Sequence, residues 1–345
     1  MTTDKRLRWG IISTGGIAHA FAKGLAASTT GQLVAVGSRT QATADKFSQE
    51  FGGVRAHGSY EALLADREVQ AVYIAPPHPF HAEWAIKAAE AGKHILCEKP
   101  LTMNHREAVA VVEAARRHGV FLMEAFMYRC HPQTAKLTEL VRERRIGDVR
   151  LIQATFSFTT GWNPAGRLFN NALGGGGILD VGCYCVSMAR LVAGQALDHD
   201  FAEPESVAGA GHVGESGVDE YAAATLRFPG DIVAQLATGV RLAQENVVRI
   251  YGSEGNIVVP SPWFCGRDAG KTAIIVKRQA DKHPEEIVLS SDRDLYGIES
   301  ETVAAHLAER EAPAMRPDDT LGNMKTLDLW RAAVGVTYAA DRAGR

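Results

Sequence analysis

The chain has 345 residues, 46% of them apolar and 22% charged, and carries a formal net charge of −3. A chain this long exceeds one ordinary hydrophobic core and predicts two domains, while interspersed charges of both signs give no footprint for nucleic acid. Five cysteines, an odd number without metal-ligand spacing, argue against a disulfide scaffold, and no run of about 18 consecutive apolar residues is present to span a membrane.

From Met1 to Arg8 the chain has charges but no signal-type apolar segment, and it leads directly into a core-like strand, so a cytoplasmic protein is expected. Up to Glu124, short apolar runs alternate with helical patterns, the mark of a doubly wound parallel sheet. The expected strands are Leu7 to Ser13, Gln32 to Ser38, Gln70 to Ala75, Lys93 to Cys97 and Val120 to Met123. Asn104 followed by Glu107 makes a capping-box-like helix start, and Gly119 a stop after Arg116-Arg117-His118. Ser59 is placed to cap a short helix through Leu64.

The first turn reads Ser13-Thr14-Gly15-Gly16-Ile17-Ala18. Against the dinucleotide fingerprint G-x-G-x-x-G/A, the second glycine is Gly15, the final small residue is Ala18, and Ser13 stands at the first position. Residues His19 to Ala27 supply the helix whose N-terminus faces phosphates in such folds. A tight turn without ligand is the plainer alternative, but a strand before and a helix after favour dinucleotide binding. The second strand ends Ser38-Arg39-Thr40, with a hydroxyl and a cation suited to a 2′-phosphate where an acid would favour NAD. The expected cofactor is therefore NADP, with NAD possible.

Ala75-Pro76-Pro77-His78-Pro79-Phe80-His81 follows a strand at the cofactor edge. Its prolines suit a rigid wall beside a flat ring, and His78 and His81 read as wall or structural residues because no acid sits at metal-ligand spacing. No metal is expected. Next, Ile95-Leu96-Cys97-Glu98-Lys99-Pro100 ends an apolar strand in a charged pair and a proline that restrains Lys99. Lys99 is thus held at the carboxyl end of a parallel strand, the edge where open α/β sheets bind ligands.

After Glu124 the pattern changes. Pro132 starts a helix carrying Leu137, Leu140 and Val141 inward and running toward Gly147. Strand-like runs follow at Val149 to Phe158, Val207 to His212, Tyr221 to Phe228, Ile232 to Arg241, Val247 to Tyr251 and Ile274 to Lys277. Turns such as Phe228-Pro229-Gly230-Asp231 separate several of them, so a large, mostly antiparallel open sheet is expected. One face would lie on helices and the other on a second subunit. Asp318 to Ala343 reads as a final helix. The division expected is 1–124 for a dinucleotide-binding domain and 125–345 for substrate binding and oligomerisation, with the last helix packing back toward the first.

The loop Thr159 to Gly177 is dense in polar groups, with Trp162, Asn163 and Arg167 ahead of Gly174-Gly175-Gly176-Gly177. On the helix that follows, Asp180 and Tyr184 are four apart and share a face. Asp180 could simply cap that helix and Tyr184 fill the core. An acid and a phenol so paired in an apolar helix also fit a catalytic face.

Together these stretches resemble the Gfo/Idh/MocA oxidoreductases over nearly the whole chain. The resemblance rests on Ser13 to Ala18, Glu98-Lys99-Pro100, Glu124-Ala125-Phe126-Met127-Tyr128-Arg129 and Gly175 to Tyr184. Its nearer branch is that of dimeric dihydrodiol dehydrogenases and NADP-dependent D-xylose (aldose) 1-dehydrogenases, marked by His81-Ala82-Glu83 and Asp-x-Gly-x-Tyr. The family implies an N-terminal Rossmann domain, a C-terminal α/β domain with an open sheet, and a homodimer or homotetramer through that sheet. It also implies cofactor contacts from Ser13, Thr14, Gly15, Gly16, Ile17, Ala18, Ser38, Arg39, Ala75, Pro76, His78, His81, Glu98 and Lys99. Substrate contacts would come from Phe126, Trp162, Asn163, Arg167 and Asp180, with Phe264 a further pocket candidate. Tyr184 stands where much of the wider family has histidine.

The activity implied is NADP-dependent hydride transfer to or from a hydroxyl-bearing carbon of a small carbohydrate or diol, first of all an aldose at C1. Trans-dihydrodiols, anhydro-sugars and inositols are the alternative substrates, and a non-catalytic dinucleotide sensor is the alternative class. The catalytic groups expected are Lys99, Tyr184 and Asp180. Tyr184 would take the hydroxyl proton, Lys99 would make it a better base while bonding the reacting oxygen, and Asp180 would orient Lys99 or a substrate hydroxyl.

Overall fold

The computed structural model describes residues 5–266 and 270–342. The first sheet is built from β1 (Leu7–Ile12), β2 (Gly31–Gly37), β3 (Arg55–His57), β4 (Ala71–Ile74), β5 (His94–Glu98) and β6 (Leu122–Ala125). All neighbours are parallel and the order is β3-β2-β1-β4-β5-β6, so the topological switch point falls between β1 and β4. Helices α1 (Gly16–Ala26), α2 (Gln41–Glu50), α3 (Tyr60–Ala65), α4 (His81–Glu90) and α5 (His105–His118) make the crossovers. Ile11, Val72, Ile74, Ile95 and Leu96 are wholly buried, as strands covered on both faces require.

Helix ends follow the side chains that can cap them. Asn104 Oδ1 accepts the Glu107 N–H at 3.0 Å, Ser59 Oγ accepts the Ala62 N–H at 3.1 Å, and Gly119 closes α5 at φ 65°. The helix after the first turn begins at Gly16 rather than His19. Strand β3 was not expected: it is a short, partly exposed edge strand with no apolar run to announce it.

The second sheet comprises β7 (Val149–Ser157), β8 (Ser206–Val213), β9 (Asp219–Phe228), β10 (Ile232–Gly239), β11 (Val248–Gly252), β12 (Gly255–Val259), β13 (Lys271–Arg278) and β14 (Glu285–Ser290). Its order is β14-β13-β12-β11-β7-β10-β9-β8. Every neighbouring pair is antiparallel except β7 and β10. Strand β9 alternates cleanly, with Ala222, Ala224, Leu226 and Phe228 inward and Tyr221, Ala223, Thr225 and Arg227 outward. The sharp β9–β10 turn places Gly230 at φ 73° and Asp231 at φ 58°. Strands β12 and β14 escaped the sequence reading, β12 because it starts inside a glycine turn and β14 because charges occupy its exposed edge.

Helices α6 (Pro132–Arg142) and α7 (Cys183–Ala196) cover the inner face of this sheet. The segment Asn171–Ala196 is long and apolar enough to cross a membrane by composition, but its apolar stretch is buried inside the protein. Helix α6 stops at Arg142, short of the expected end near Gly147. Beyond the sheet, α8 (Leu295–Ala305) was also unexpected. It lacks a clear apolar stripe and fits against α1 because Gly24 leaves room for Tyr296. The last expected helix is two: α9 (Pro317–Val334) breaks at Gly335, φ 86°, and the chain resumes as α10 (Ala339–Arg342). Ala343, the expected helix end, lies outside the described residues. Helix α9 joins the two sheets: Trp330 Nε1 donates to Ala223 O at 3.2 Å, and Asp328 Oδ2 accepts the His105 N–H at 2.9 Å.

Candidate active site

Lys99 directly follows the carboxyl end of strand β5, and the Lys99–Pro100 bond is cis. Glu98, almost fully buried, fixes the strand end: one carboxylate oxygen accepts the Tyr73 hydroxyl and the other accepts the Lys99 N–H at 3.2 Å. Lys99 then reaches across to Asp180. Its Nζ donates to the Asp180 carbonyl oxygen at 2.7 Å and lies 3.7 Å from Asp180 Oδ1. Arg167 Nη1 donates to the same Oδ1 at 2.7 Å. Burial alone would raise the Asp180 carboxyl, but the Lys99 and Arg167 cations overcome it and hold it at about 2. Asp180 is therefore ionised near neutral pH and too weak a base to abstract a hydroxyl proton.

The helix carrying Asp180 is not regular at its start. Ile178–Gly182 forms a π-helical turn before α7, a distortion common at functional sites. Asp180 and Tyr184 nevertheless both meet Lys99, whose Nζ lies 5.2 Å from the Tyr184 ring centroid. Tyr184 sits within a shell of Phe126, Phe156 and Trp263, at centroid distances of 5.1, 5.2 and 5.7 Å. Its hydroxyl donates to Met127 Sδ at 3.4 Å. The expected stronger base is not what this arrangement gives. Burial, followed by the Glu98 carboxylate, pushes the Tyr184 hydroxyl well above its ordinary value, because Lys99 faces the ring while the Oη is packed against a thioether.

The dinucleotide turn opens onto a cleft of about 870 Å³ lined by Ser13, Thr14, Ser38, Arg39, Pro76 and Pro77, among others. Ser13 holds φ 95°, the backbone geometry that glycine usually supplies at this position. A Cβ built on Gly16 would meet nothing, and one on Gly15 only Ser13 Oγ at 3.9 Å. Protein packing does not demand glycine there. The open space in front of the α1 N-terminus fits a pyrophosphate that needs close backbone approach. Ala18 is fully buried against the sheet and Ile17 packs beside it. Ser38 Oγ bonds Thr43 Oγ1 at 2.6 Å and lies 3.5 Å from Thr14 Oγ1. Thr43 and Tyr60 also line the cleft and were missed, although each sits in the first turn of a helix capped by its predecessor, Thr40 or Ser59.

The remaining expected residues divide. Pro76 lines the cleft and Ala75 is buried behind it. His81 is wholly buried, its ring nitrogens 2.9 and 2.8 Å from the carbonyl oxygens of Pro100 and Pro76, so it ties the proline wall to the Lys99 turn. His78 Nδ1 lies 3.1 Å from Gly174 O, and burial depresses that imidazole to about 3, leaving it neutral. Neither is among the residues lining that cleft. Phe126 is likewise buried and backs Tyr184 rather than lining open space. Trp162 is 42% exposed and packs at a tilt against Phe169, while Asn163 Oδ1 turns back to accept the Gly166 N–H at 3.1 Å. Phe264 is exposed and packs against Phe156. Among the described residues, no group of three or more His, Cys, Asp or Glu is placed to hold a metal.

A parallel sheet with a glycine turn at its switch point, and a lysine, a carboxylate and a phenol beyond it, defines a dinucleotide-dependent oxidoreductase. Residues 7–126 match the model of the oxidoreductase family with an NAD-binding Rossmann fold, and residues 134–258 match the GFO/IDH/MocA C-terminal domain. This chain belongs to the Gfo/Idh/MocA oxidoreductase family. Trans-1,2-dihydrobenzene-1,2-diol dehydrogenase of Mus musculus is 32% identical over 344 residues, covering 97% of this chain and 99% of the relative. The Danio rerio protein of the same name is 33% identical, with the same coverage. Among solved structures, KijD10, a 3-ketoreductase from Actinomadura kijaniata crystallised with NADP and TDP-benzene, superposes with a TM-score of 0.84 at 29% identity, covering 95% of this chain and 98% of that one. The aldose-aldose oxidoreductase of Caulobacter crescentus shares the fold, with a TM-score of 0.84 at 22% identity over 99% of this chain and 98% of that one.

Proposed function

We propose that the chain transfers hydride between NADP and a hydroxyl-bearing carbon of a sugar or sugar-like polyol, acting first as an aldose 1-dehydrogenase. The observation that carries this reading is the contact of Lys99 with both the carbonyl and the carboxylate of Asp180 at the ligand-binding edge of the sheet. Gly15 and Gly16 would admit the pyrophosphate, Ser38 and Arg39 the 2′-phosphate, and Pro76 with Pro77 would wall the ring. The bound nicotinamide supplies the hydride chemistry.

The protein's own groups manage the oxygen and its proton. Of the three N–H donors on Lys99, one is committed to Asp180 O and another is directed at Oδ1, leaving one for the reacting oxygen. That fixed charge stabilises a developing alkoxide. Tyr184, held protonated by burial with its hydroxyl on the weak Met127 acceptor, would give its proton to the oxygen in carbonyl reduction and take one back in the reverse direction. Asp180, kept ionised, orients Lys99 and Arg167. All three groups that a non-catalytic relative could dispense with are present and adjacent.

A second reading, oxidation of an aromatic trans-dihydrodiol, is favoured by the exposed faces of Trp162 and Phe264 and by the names of the relatives. Purified protein should be assayed for NADP reduction against aldoses, inositols and aromatic trans-dihydrodiols. At least tenfold higher kcat/KM for an aldose supports the first reading. The reverse order replaces it with the second, and no turnover of any class contradicts both.

A further inference from the structure

Several helices in this chain are capped by the side chain before them, as with Thr40, Ser59 and Asn104, while α1, α4 and α9 have no side-chain cap. The turn that carries Asp180 is different. Gly177, at its start, offers no side chain, and the acceptor comes from Asp219 at the head of β9, which takes the Ile178 N–H on Oδ2 at 2.7 Å. Asp219 is wholly buried, and its Oδ1 has no hydrogen-bond partner among the described residues. That oxygen instead faces Gly176, where a Cβ would come within 2.3 Å of it and where φ is +107°. On Gly177 a Cβ would lie 2.9 Å from Gly239 Cα. The last two glycines of the run are thus demanded by β9 and β10 pressing on the turn from the sheet side. The Tyr338 hydroxyl also donates to Gly175 O.

Lys99 contacts both the main-chain carbonyl and the side chain of Asp180, two residues beyond Ile178. A backbone carbonyl moves only when its turn moves, so the Lys99 contact reports where the turn begins. We propose that Asp219 is a positioning residue for the reaction: through the Ile178 N–H it fixes the first turn of the site helix and so sets Asp180 against Lys99. This rests on the role given to Lys99 above. Asp219 touches neither substrate nor cofactor in this account.

The test reads Lys99 directly. Wild type, Asp219→Ala and Asp219→Asn are treated with limiting acetic anhydride, and acetylation of Lys99 and Lys93 is followed by peptide mass spectrometry. Lys93 is the internal control, since its Nζ is held by Asp66 O and Val69 O, both at 2.8 Å, at the opposite end of β5 from Lys99. Asp219→Ala should raise Lys99 labelling at least threefold with Lys93 unchanged. Asp219→Asn, which retains an oxygen acceptor, should stay within twofold of wild type. The kcat on the best substrate of the screen should fall at least tenfold in Asp219→Ala, with NADP affinity within twofold. Unchanged Lys99 labelling, equal rises at Lys99 and Lys93, or an Asn variant as labile as the Ala variant would overturn the proposal. If Asp219→Ala does not fold, Asp219→Ser, whose hydroxyl is too short to reach Ile178, takes its place. An inactive wild type with Lys99 labelling behaving as expected would refute the functional reading while leaving this positioning intact.

Discussion

Lys99 Nζ lies 2.7 Å from the carbonyl oxygen and 3.7 Å from the Oδ1 of a single residue, Asp180. Lysine ordinarily carries a mobile charge on a flexible stem. Here two acceptors of one residue, on the turn that leads into α7, hold it in place. Such preorganisation is what electrostatic stabilisation of a transition state requires.

Cofactor choice should be read at Arg39. Removing a cation from a phosphate loses roughly 1.5–3 kcal/mol, or about tenfold or more in affinity. Arg39→Ala should weaken NADP by at least that factor and leave NAD within about threefold, measured by titrating the quenching of protein fluorescence. Equal losses for both would remove Arg39 as the selector.

Arg167 should control the acidic side of the pH profile. It is one of the two cations that lower the Asp180 carboxyl, so Arg167→Gln raises that pKa and moves the acidic limb of kcat/KM to higher pH. The shift should be roughly half a pH unit, modest because the Arg167 side chain is half exposed and screened. A limb that does not move would mean Asp180 ionisation is not sensed by the reaction.

These two sites show what was legible in the sequence. Glu98-Lys99-Pro100 and the Gly15 turn stand out because a strand, a turn and a helix each leave local signatures in neighbouring residues. Asp180 and Tyr184 stand out because helical spacing brings them together, and the π-helical turn at Ile178–Gly182 alters that spacing without separating either from Lys99. What could not be read depends on approach through space. The Asp219 acceptor is 41 residues away from the Ile178 N–H it binds. Likewise, the Met127 sulfur occupies the side of Tyr184 where a cation was expected. Strands β3 and β14 were invisible for a simpler reason: as edges they need no apolar alternation strong enough to detect.

Glu299 offers a test of buried charge. Its carboxyl is wholly buried, neither oxygen has a hydrogen-bond partner among the described residues, and burial followed by Glu98 pushes its pKa well above 4.5. A carboxyl whose folded pKa exceeds its unfolded one favours the fold below the unfolded value and loses that contribution as pH rises. Glu299→Gln should therefore melt higher than wild type at pH 7, by several degrees for a gain of about 1–3 kcal/mol. The gain should shrink as pH falls toward 4.5, the ordinary carboxyl value. A variant less stable at neutral pH would show that Glu299 has a charged role.

The outer face of the second sheet is proposed to meet a second copy of the chain. Ala223 and Thr225 of β9, with Ala208, Ala210 and Ala237, line a shallow concavity of about 690 Å³ there. Light scattering should report a dimer or tetramer, and Ala223→Arg should shift it toward monomer while the monomer keeps its secondary structure. A monomeric wild type would exclude this assembly.

The central claim is that Lys99 and Tyr184 handle the oxygen and proton of the reaction without holding the cofactor. Its most direct measurement is kcat alongside NADP affinity for Lys99→Ala and Tyr184→Phe. Each should lose roughly 10²–10⁴-fold in kcat, the range of a positioned acid–base or charge-stabilising group. NADP affinity should stay within about threefold, since neither change touches the Gly15 turn or Arg39. Wild-type rates in both variants, with NADP bound normally, would contradict the account.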